Sequence, residues 1–333
     1  MKTTSVMLQT LCTPCGCRCR YCLLSWDGEI VGAPYERSER YALRFHEWIK
    51  AERPDIGFNF SWGCSMEHPR LFEALDFLSS IGSIGADYLQ CDGMKMRSDA
   101  ELESFIPALA AHGVKHLNFT FYGLPEYHDR FASRSGDFEY LLRFASAAVK
   151  NGLEVSAGIP LTGENAGMID PLLAVLHGAG IMRITLLIPH AEGRGVNIEG
   201  IRATSRDLDK LSPEARALLN GRIFKPESVW VREKPFIKEE NRTLLISLTP
   251  DNIERFESMP FGDVISEIEA LDDAYYAAFP ELEELADTYG DPESDRLFRQ
   301  RDLFAGYRKM YMEEHGISVY DVTDERFCGS RRY

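Results

Sequence analysis

Five of the eight cysteines, Cys12, Cys15, Cys17, Cys19 and Cys22, fall within eleven residues, and the other three are Cys64, Cys91 and Cys328. Within that cluster Cys15, Cys19 and Cys22 have the spacing C-x3-C-x2-C, in the stretch TPCGCRCRYC. Three soft thiolates on one short loop suit three irons of a cubane, and with three protein ligands the fourth iron stays open to chemistry. Zinc is the competing metal, because Cys12 with Cys15 and Cys19 with Cys22 each form a C-x2-C pair. A structural zinc site, however, wants a second pair roughly 10 to 25 residues on, and the next cysteine is Cys64. A redox-active or merely crowded thiol patch is a further reading of the same cluster. A disulfide framework would instead spread its cysteines along a short secreted chain. Cys12 and Cys17 are extra thiols, either bystanders or active parts.

A loop of this kind needs a rigid frame. The 333 residues suffice for one sizeable core or two modest domains. Strands are expected at Val6–Leu11, running into the cysteines, and at Ile56–Ser61, Tyr88–Cys91, Val114–Phe121, Leu153–Ile159 and Ile181–Ile188. Helices are expected between them: Ser38–Ala51 with Ser38 as cap, Pro69–Ser79, a segment from Asp99 as cap to His112, Asp137–Asn151 and Met168–Gly178. Strand and helix alternating at crossover spacing imply a parallel sheet. Six such units suit an α/β fold of the partial (β/α)6 TIM-like barrel type; a doubly wound open sheet is the second choice. Past Gly193 the alternation ends. Leu244–Leu248 reads as an isolated strand, and Val264–Tyr289 and Leu297–Glu314 as helices. The expected division is 1–195 for the barrel with its cysteine loop and 196–333 for a mainly helical extension that could cover a substrate.

Charge bounds the partners. The 52 acidic and 37 basic residues give a formal charge of -15. Asp251 to Asp291 carries 13 acidic residues against Arg255 alone. No run of Lys and Arg would track a phosphate backbone, so nucleic acid is not expected as a partner. No stretch reaches the roughly 20 apolar residues of a membrane span; the expectation is a cytoplasmic protein without membrane association.

The C-x3-C-x2-C loop, with Tyr21 before its last cysteine and a strand ahead of it, resembles the cluster-binding loop of the radical S-adenosylmethionine (SAM) superfamily. Further segments follow in that family's order over residues 6 to 195. FNFSWGCSMEHPRLF, from Phe58, is similar to the second-strand segment that carries a Gly-Gly-Glu-Pro run; only Gly63 matches, and Cys64 stands beside it. Cys91-Asp92-Gly93 falls where many relatives have Thr-Asn-Gly, and LNFTFYG, from Leu117, resembles the fourth-strand signature with Thr120 facing SAM. The stretch EYHDRFASRSGDFEYLL brings Glu126, His128 and Arg134. Asn165 follows the fifth strand, and Gly193-Arg194-Gly195 resembles the glycine turn after the sixth.

The resemblance implies a [4Fe-4S] cluster on Cys15, Cys19 and Cys22, with SAM on the open iron. It implies Tyr21, Gly63, Cys64, Thr120, Arg134, Asn165 and Arg194 around SAM, and an external electron donor such as flavodoxin or ferredoxin. Reductive cleavage of SAM then yields a 5'-deoxyadenosyl radical that takes a hydrogen atom from substrate. Asp92, Glu126 and His128 are candidate catalytic groups near the mouth, and Cys328 a candidate hydrogen donor to a substrate radical. In peptide-modifying relatives cysteines precede a Leu-Gly-Asn turn; here Phe261-Gly262-Asp263 holds that place and the cysteines are missing, so no auxiliary cluster is expected. The charged mouth residues favour a polar small molecule, sugar or nucleoside-like, for carbon-carbon bond formation, rearrangement or epimerisation. The alternatives are a peptide-modifying enzyme acting on a ribosomally made peptide and a non-enzymatic iron-sulfur sensing or binding protein.

Overall fold

The computed structural model describes residues 1–10, 15–22, 32–63, 67–83, 85–189, 193–219, 224–238 and 240–319. Cys12, Cys64 and Cys328 lie outside them, as does the side chain of Arg194. The chain runs β1 (Lys2–Thr10), α1 (Tyr35–Glu52), β2 (Gly57–Ser61), α2 (Leu71–Ser80), β3 (Tyr88–Gln90), α3 (Asp99–Ala111), β4 (His116–Thr120), α4 (Pro125–Ala132), α5 (Asp137–Lys150), β5 (Glu154–Pro160), α6 (Ile169–Gly178) and β6 (Arg183–Leu187). It continues with α7 (Pro213–Ala217), β7 (Phe224–Pro226), α8 (Glu227–Glu233), β8 (Asn241–Leu248), α9 (Ile253–Ser258), α10 (Phe261–Ala277), α11 (Leu282–Tyr289), β9 (Leu297–Arg299) and α12 (Gln300–His315).

The six expected strands form, and all their pairings are parallel. Hydrogen bonding divides them into two sheets, β2-β1-β8 and β3-β4-β5-β6. The α/β fold is thus consistent with a partial barrel followed by C-terminal helices. One element differs from the sequence reading: β8 is no isolated strand. It pairs with β1 along its whole length, from Lys2 with Asn241 to Thr10 with Leu248.

Two apolar layers hold helices to sheet. Phe119, Phe144, Leu172 and Ile159 belong to the layer behind β3–β6, and Val6, Leu8, Phe45, Phe60, Ile246 and Phe256 to the layer behind β2-β1-β8. Strand periodicity puts every second residue on the other face. That inner face carries Gln9, Asn59, Ser61, Gln90, Asn118, Thr120, Ser156 and Ser247, polar groups where a filled barrel would hold branched aliphatics.

Several boundaries moved for local reasons. Helix α1 starts behind Pro34, and Ser38 lies buried inside it with its hydroxyl donated to the Ala33 carbonyl (3.3 Å). The cap of α3 is Ser98, in a capping box with Glu101, so Asp99 is the first helical residue. The expected helix over 264–289 is two, α10 and α11, interrupted at Pro280, whose ring disfavours helical backbone just before it. Leu297–Arg299 pairs with β7 before α12 begins.

The β8 terminus repeats the β5 terminus. In both, Leu-Thr-x-x-Asn ends the strand: the Thr N–H donates to the Asn Oδ1 (2.8 Å), the Asn N–H to the Thr hydroxyl (3.3 Å), and the Asn amide to the strand's last carbonyls (2.8 Å). The residues are Thr162 and Asn165 after β5, and Thr249 and Asn252 after β8. Asn252→Ala strands the Thr249 N–H and the Ser247 carbonyl in buried surroundings, and should lower stability by about 1–3 kcal/mol in urea unfolding.

Candidate functional site

The cysteine loop lies at the carboxyl ends of the parallel strands, where α/β sheets present ligand sites. Its backbone is fixed from two sides. Gly16 N–H donates to the Gly93 carbonyl (2.6 Å) after β3, while Arg18 and Arg20 donate to the Ala132 (2.8 Å) and Phe131 (3.0 Å) carbonyls at the end of α4. Tyr122, Tyr127, Phe131 and Ala132 form an apolar wall against Cys15, Cys17, Cys19 and Tyr21. The Tyr21 ring meets Tyr122 edge-on at 6.0 Å, and the Tyr122 hydroxyl donates to Cys19 Sγ at 3.2 Å.

Gly93 is needed here. Its backbone is left-handed (φ +68°) and a Cβ would collide with Cys15 Sγ. Gly93→Ala should therefore displace the loop besides costing about 1 kcal/mol of backbone strain, read as faster iron loss to a chelator than in the parent.

Below the loop lies a buried ionic knot. Asp137, the first residue of α5 and 2% exposed, accepts from His128 Nε2 (3.2 Å), Arg134 Nη1 (3.0 Å) and Cys17 Sγ (3.6 Å). His128 Nδ1 accepts the Tyr122 N–H (3.1 Å), so both ring nitrogens are engaged and the ring is fully buried. Cys17 thus turns into the protein. The hydrogen-bonding Cys17 thiol, then burial, push the Cys15 thiol far up.

Asp92 sits past the end of β3. Its carboxylate accepts from Thr120 N–H (2.8 Å), Thr120 Oγ1 (2.6 Å) and Gln90 Nε2 (2.6 Å). Burial raises its pKa, and these donors oppose the rise. From Gln90 the bonds continue across the inner face to Asn118 (2.7 Å), Ser156 (2.6 Å) and His116 (2.6 Å). This ladder is what the sequence reading missed. Its signal is the alternation in HLNFT and YLQCD, where His116, Asn118 and Thr120, and Gln90 and Asp92, fall on one face.

The structure therefore brings Cys15, Cys19, Cys22, Tyr21, Asp92 and Thr120 to one end of the sheets. Gly63 follows β2 with φ +81° and donates its N–H to Ser61 Oγ (3.1 Å). Arg134 packs under the loop against Gly16 and pairs with Asp137. Asn165 is buried, its amide donated to the Tyr122 and Pro160 carbonyls (2.8 Å each), tying β4 to β5. Glu126 is exposed in the first turn of α4.

The extension reaches this end too. Gly163 N–H donates to the Ile201 carbonyl (2.8 Å), and the buried Arg202 guanidinium donates to the Pro189 (2.9 Å) and Leu297 (3.3 Å) carbonyls. Burial, then Asp92 and the Cys19 and Cys22 thiols, push the Tyr21 hydroxyl up, and Arg299 of β9 opposes them.

Among the described residues no three His, Cys, Asp or Glu side chains already converge as a metal site. The donors nonetheless suit an iron-sulfur cluster: three half-buried thiols on one loop, an apolar wall, a side-chain-free approach at Gly93, and a hydroxyl donor to one sulfur. Ligation and loop ordering are coupled at such sites.

The family model of the radical SAM superfamily matches residues 12–176. The chain belongs to that superfamily, whose members are enzymes that use SAM and an iron-sulfur cluster for radical chemistry. Among solved structures, SuiB of Streptococcus suis bound to its precursor peptide SuiA is 11% identical, with a TM-score of 0.43 over 57% of this chain and 40% of that one. Coproporphyrinogen III oxidase (HemN) from Escherichia coli, a radical SAM enzyme, is 12% identical, with a TM-score of 0.43 over 75% of this chain and 66% of that one. The structure of anSMEcpe with bound AdoMet and Cp18Cys peptide is 15% identical, with a TM-score of 0.41 over 62% and 57%. The chain thus spans less than two thirds of the length of the SuiB chains it matches. No curated protein matches the sequence. Among the described residues no helix is long and apolar enough to cross a membrane.

Proposed function

We propose that this chain removes a hydrogen atom from a carbon of a neutral, amide-bearing substrate, and that the substrate is a peptide. When bound, the cluster and SAM supply the 5'-deoxyadenosyl radical. The reading rests on the inner face of the sheets, where Gln9, Asn59, Gln90 and Asn118 are four carboxamides and Asp92 is the carboxylate at the cysteine-loop end, Glu154 lying at the opposite end and pairing with Arg183. Each carboxamide offers a donor and an acceptor like those of a peptide group, and such a lining does not favour a phosphorylated ligand.

In this reading Cys15, Cys19 and Cys22 hold the cluster, while Tyr21, Gly63 and Thr120 border SAM. Asp92 fixes Thr120, and residues 196–333 cover the substrate. Reduced flavodoxin or ferredoxin supplies the electron, and Cys328 returns a hydrogen atom if the product is an epimer. The hydroxyls of Ser61, Thr120, Ser156 and Ser247 favour the second reading, a sugar or nucleoside-like small molecule.

The test is isotope transfer under anaerobic reducing conditions with SAM. Carbon-deuterated peptides should pass deuterium into 5'-deoxyadenosine, and Asn118→Leu should reduce that transfer while leaving iron content unchanged. Transfer from deuterated nucleosides or sugars, with none from peptides, would replace the main reading by the second.

A further inference from the structure

A pocket of about 610 Å³ opens away from the cysteine loop, among Met1, α8, α10, α11, α12 and the segment before β8. Ile237, Tyr276, Phe279, Leu282, Phe304 and Arg308 are among its walls. Met1 precedes β1, whose nine residues run to the cysteine loop; at about 3.3 Å per residue the two ends of the strand lie about 26 Å apart. The pocket belongs to the amino ends of the strands and takes no part in the site described above.

Its charge is unusual for this chain. Arg308 lies among three rings, with Cζ 5.0 Å from the centroid of Tyr276, 5.6 Å from Tyr275 and 5.7 Å from Phe279. Its Nε is buried without a hydrogen-bond partner, and among the described residues its guanidinium has no carboxylate. The buried arginines Arg202 and Arg242 do have one: Arg202 pairs with Glu199, and Arg242 with Asp272 and Asp273. Asp272 and Asp273, which precede Tyr275 and Tyr276 on α10, both pair with Arg242. Around the pocket Lys238 meets Glu281 at 2.7 Å, and the Lys225 ammonium lies 5.6 Å from the Trp230 centroid and 3.8 Å from Glu233.

A guanidinium held among aromatic faces, without a carboxylate among the described residues, in a mostly apolar cavity on a chain of net charge -15, is a place for an anion that brings its own apolar body. We propose that this pocket binds a carboxylate attached to an aromatic or aliphatic group, with Arg308 holding the carboxylate and Ile237, Phe279 and Leu282 the apolar part. Such a group arrives either as a free small acid or as an acidic side chain beside an apolar residue in a peptide.

Ligand-observed NMR on the full chain tests this with three probes: 3-phenylpropionate, its uncharged amide, and N-acetyl-Phe-Glu-Leu-amide. The carboxylate should bind at least about tenfold more tightly than the amide. Arg308→Gln should remove that preference while leaving the weak binding of the amide unchanged. Ile237→Glu, which places a like charge on an exposed rim residue, should weaken the carboxylate by a similar factor with the melting temperature unaltered, and it keeps the test valid if the arginine variant folds poorly. Tighter binding of the peptide identifies a peptide source, and tighter binding of 3-phenylpropionate a free acid. Equal affinity for carboxylate and amide, unchanged carboxylate binding in Ile237→Glu and Arg308→Gln, or no saturable binding of any probe would overturn the proposal. The measurement needs neither SAM nor reductant, so it stands or falls apart from the reading of the reaction.

Discussion

Protein reconstituted anaerobically should hold about four irons and four sulfides, and replacing Cys15, Cys19 or Cys22 singly by Ala should bring iron to near zero and abolish SAM cleavage. Cys17→Ser should keep the full complement. The distinction follows from where the sulfurs point. Cys17 donates into the buried Asp137 carboxylate, whereas Cys15 and Cys19 lie half-buried at the loop surface, one against Gly93 and the other under the Tyr122 hydroxyl. A serine hydroxyl still donates to Asp137 but is a poor substitute for a thiolate on iron. Iron retained by Cys19→Ala, or lost from Cys17→Ser as completely as from Cys15→Ala, would reassign the ligands.

Asp137→Ala should be the most destabilising change near the loop, by about 3–5 kcal/mol in urea unfolding. It leaves the His128 N–H without an acceptor and the Arg134 charge unpaired in a site where Asp137 is almost wholly buried. The loop should suffer with the fold, so iron in the reconstituted variant should be lost to a chelator much faster than in the parent. Leu176→Ala, a cavity of comparable cost in the layer behind β3–β6, separates the two effects, since it should destabilise without hastening iron loss. Equal acceleration in both variants would make Asp137 a general stabiliser and not a loop anchor.

The cysteine spacing and the strand alternation were legible because each is local: three thiols within eight residues, and a period set by backbone geometry. The ionic knot was not legible in its roles. His128 and Arg134 read as mouth residues because nothing in EYHDRFASRSGDF tells that Asp137 draws both inward. That depends on the turn at Ser133–Gly136, where Asp129 accepts from Gly136 N–H (2.5 Å) and Phe138 N–H (3.0 Å) and closes the stretch on itself. Asn165 likewise read as a site residue, since its position at the strand edge is local, whereas its bond to the Tyr122 carbonyl joins residues 43 apart. The place of β8 beside β1 is a pairing between residues about 240 apart. Its one local sign was the Leu-Thr-x-x-Asn ending shared with β5.

That pairing has a consequence for synthesis. One edge of β1 is completed by residues 241–248, so while the chain emerges from the ribosome at about 5 to 20 residues per second, the edge waits roughly 12 to 48 s for its partner. During that interval its unpaired N–H and C=O groups, with the apolar Val6 and Leu8 beside them, form a template for a neighbouring nascent chain. Strand β1, made before every other strand of these two sheets, is therefore among the last to be secured. Yield from cells should depend on how crowded the chain's own copies are while it is being translated, and a fragment ending at residue 195 would carry that open edge permanently.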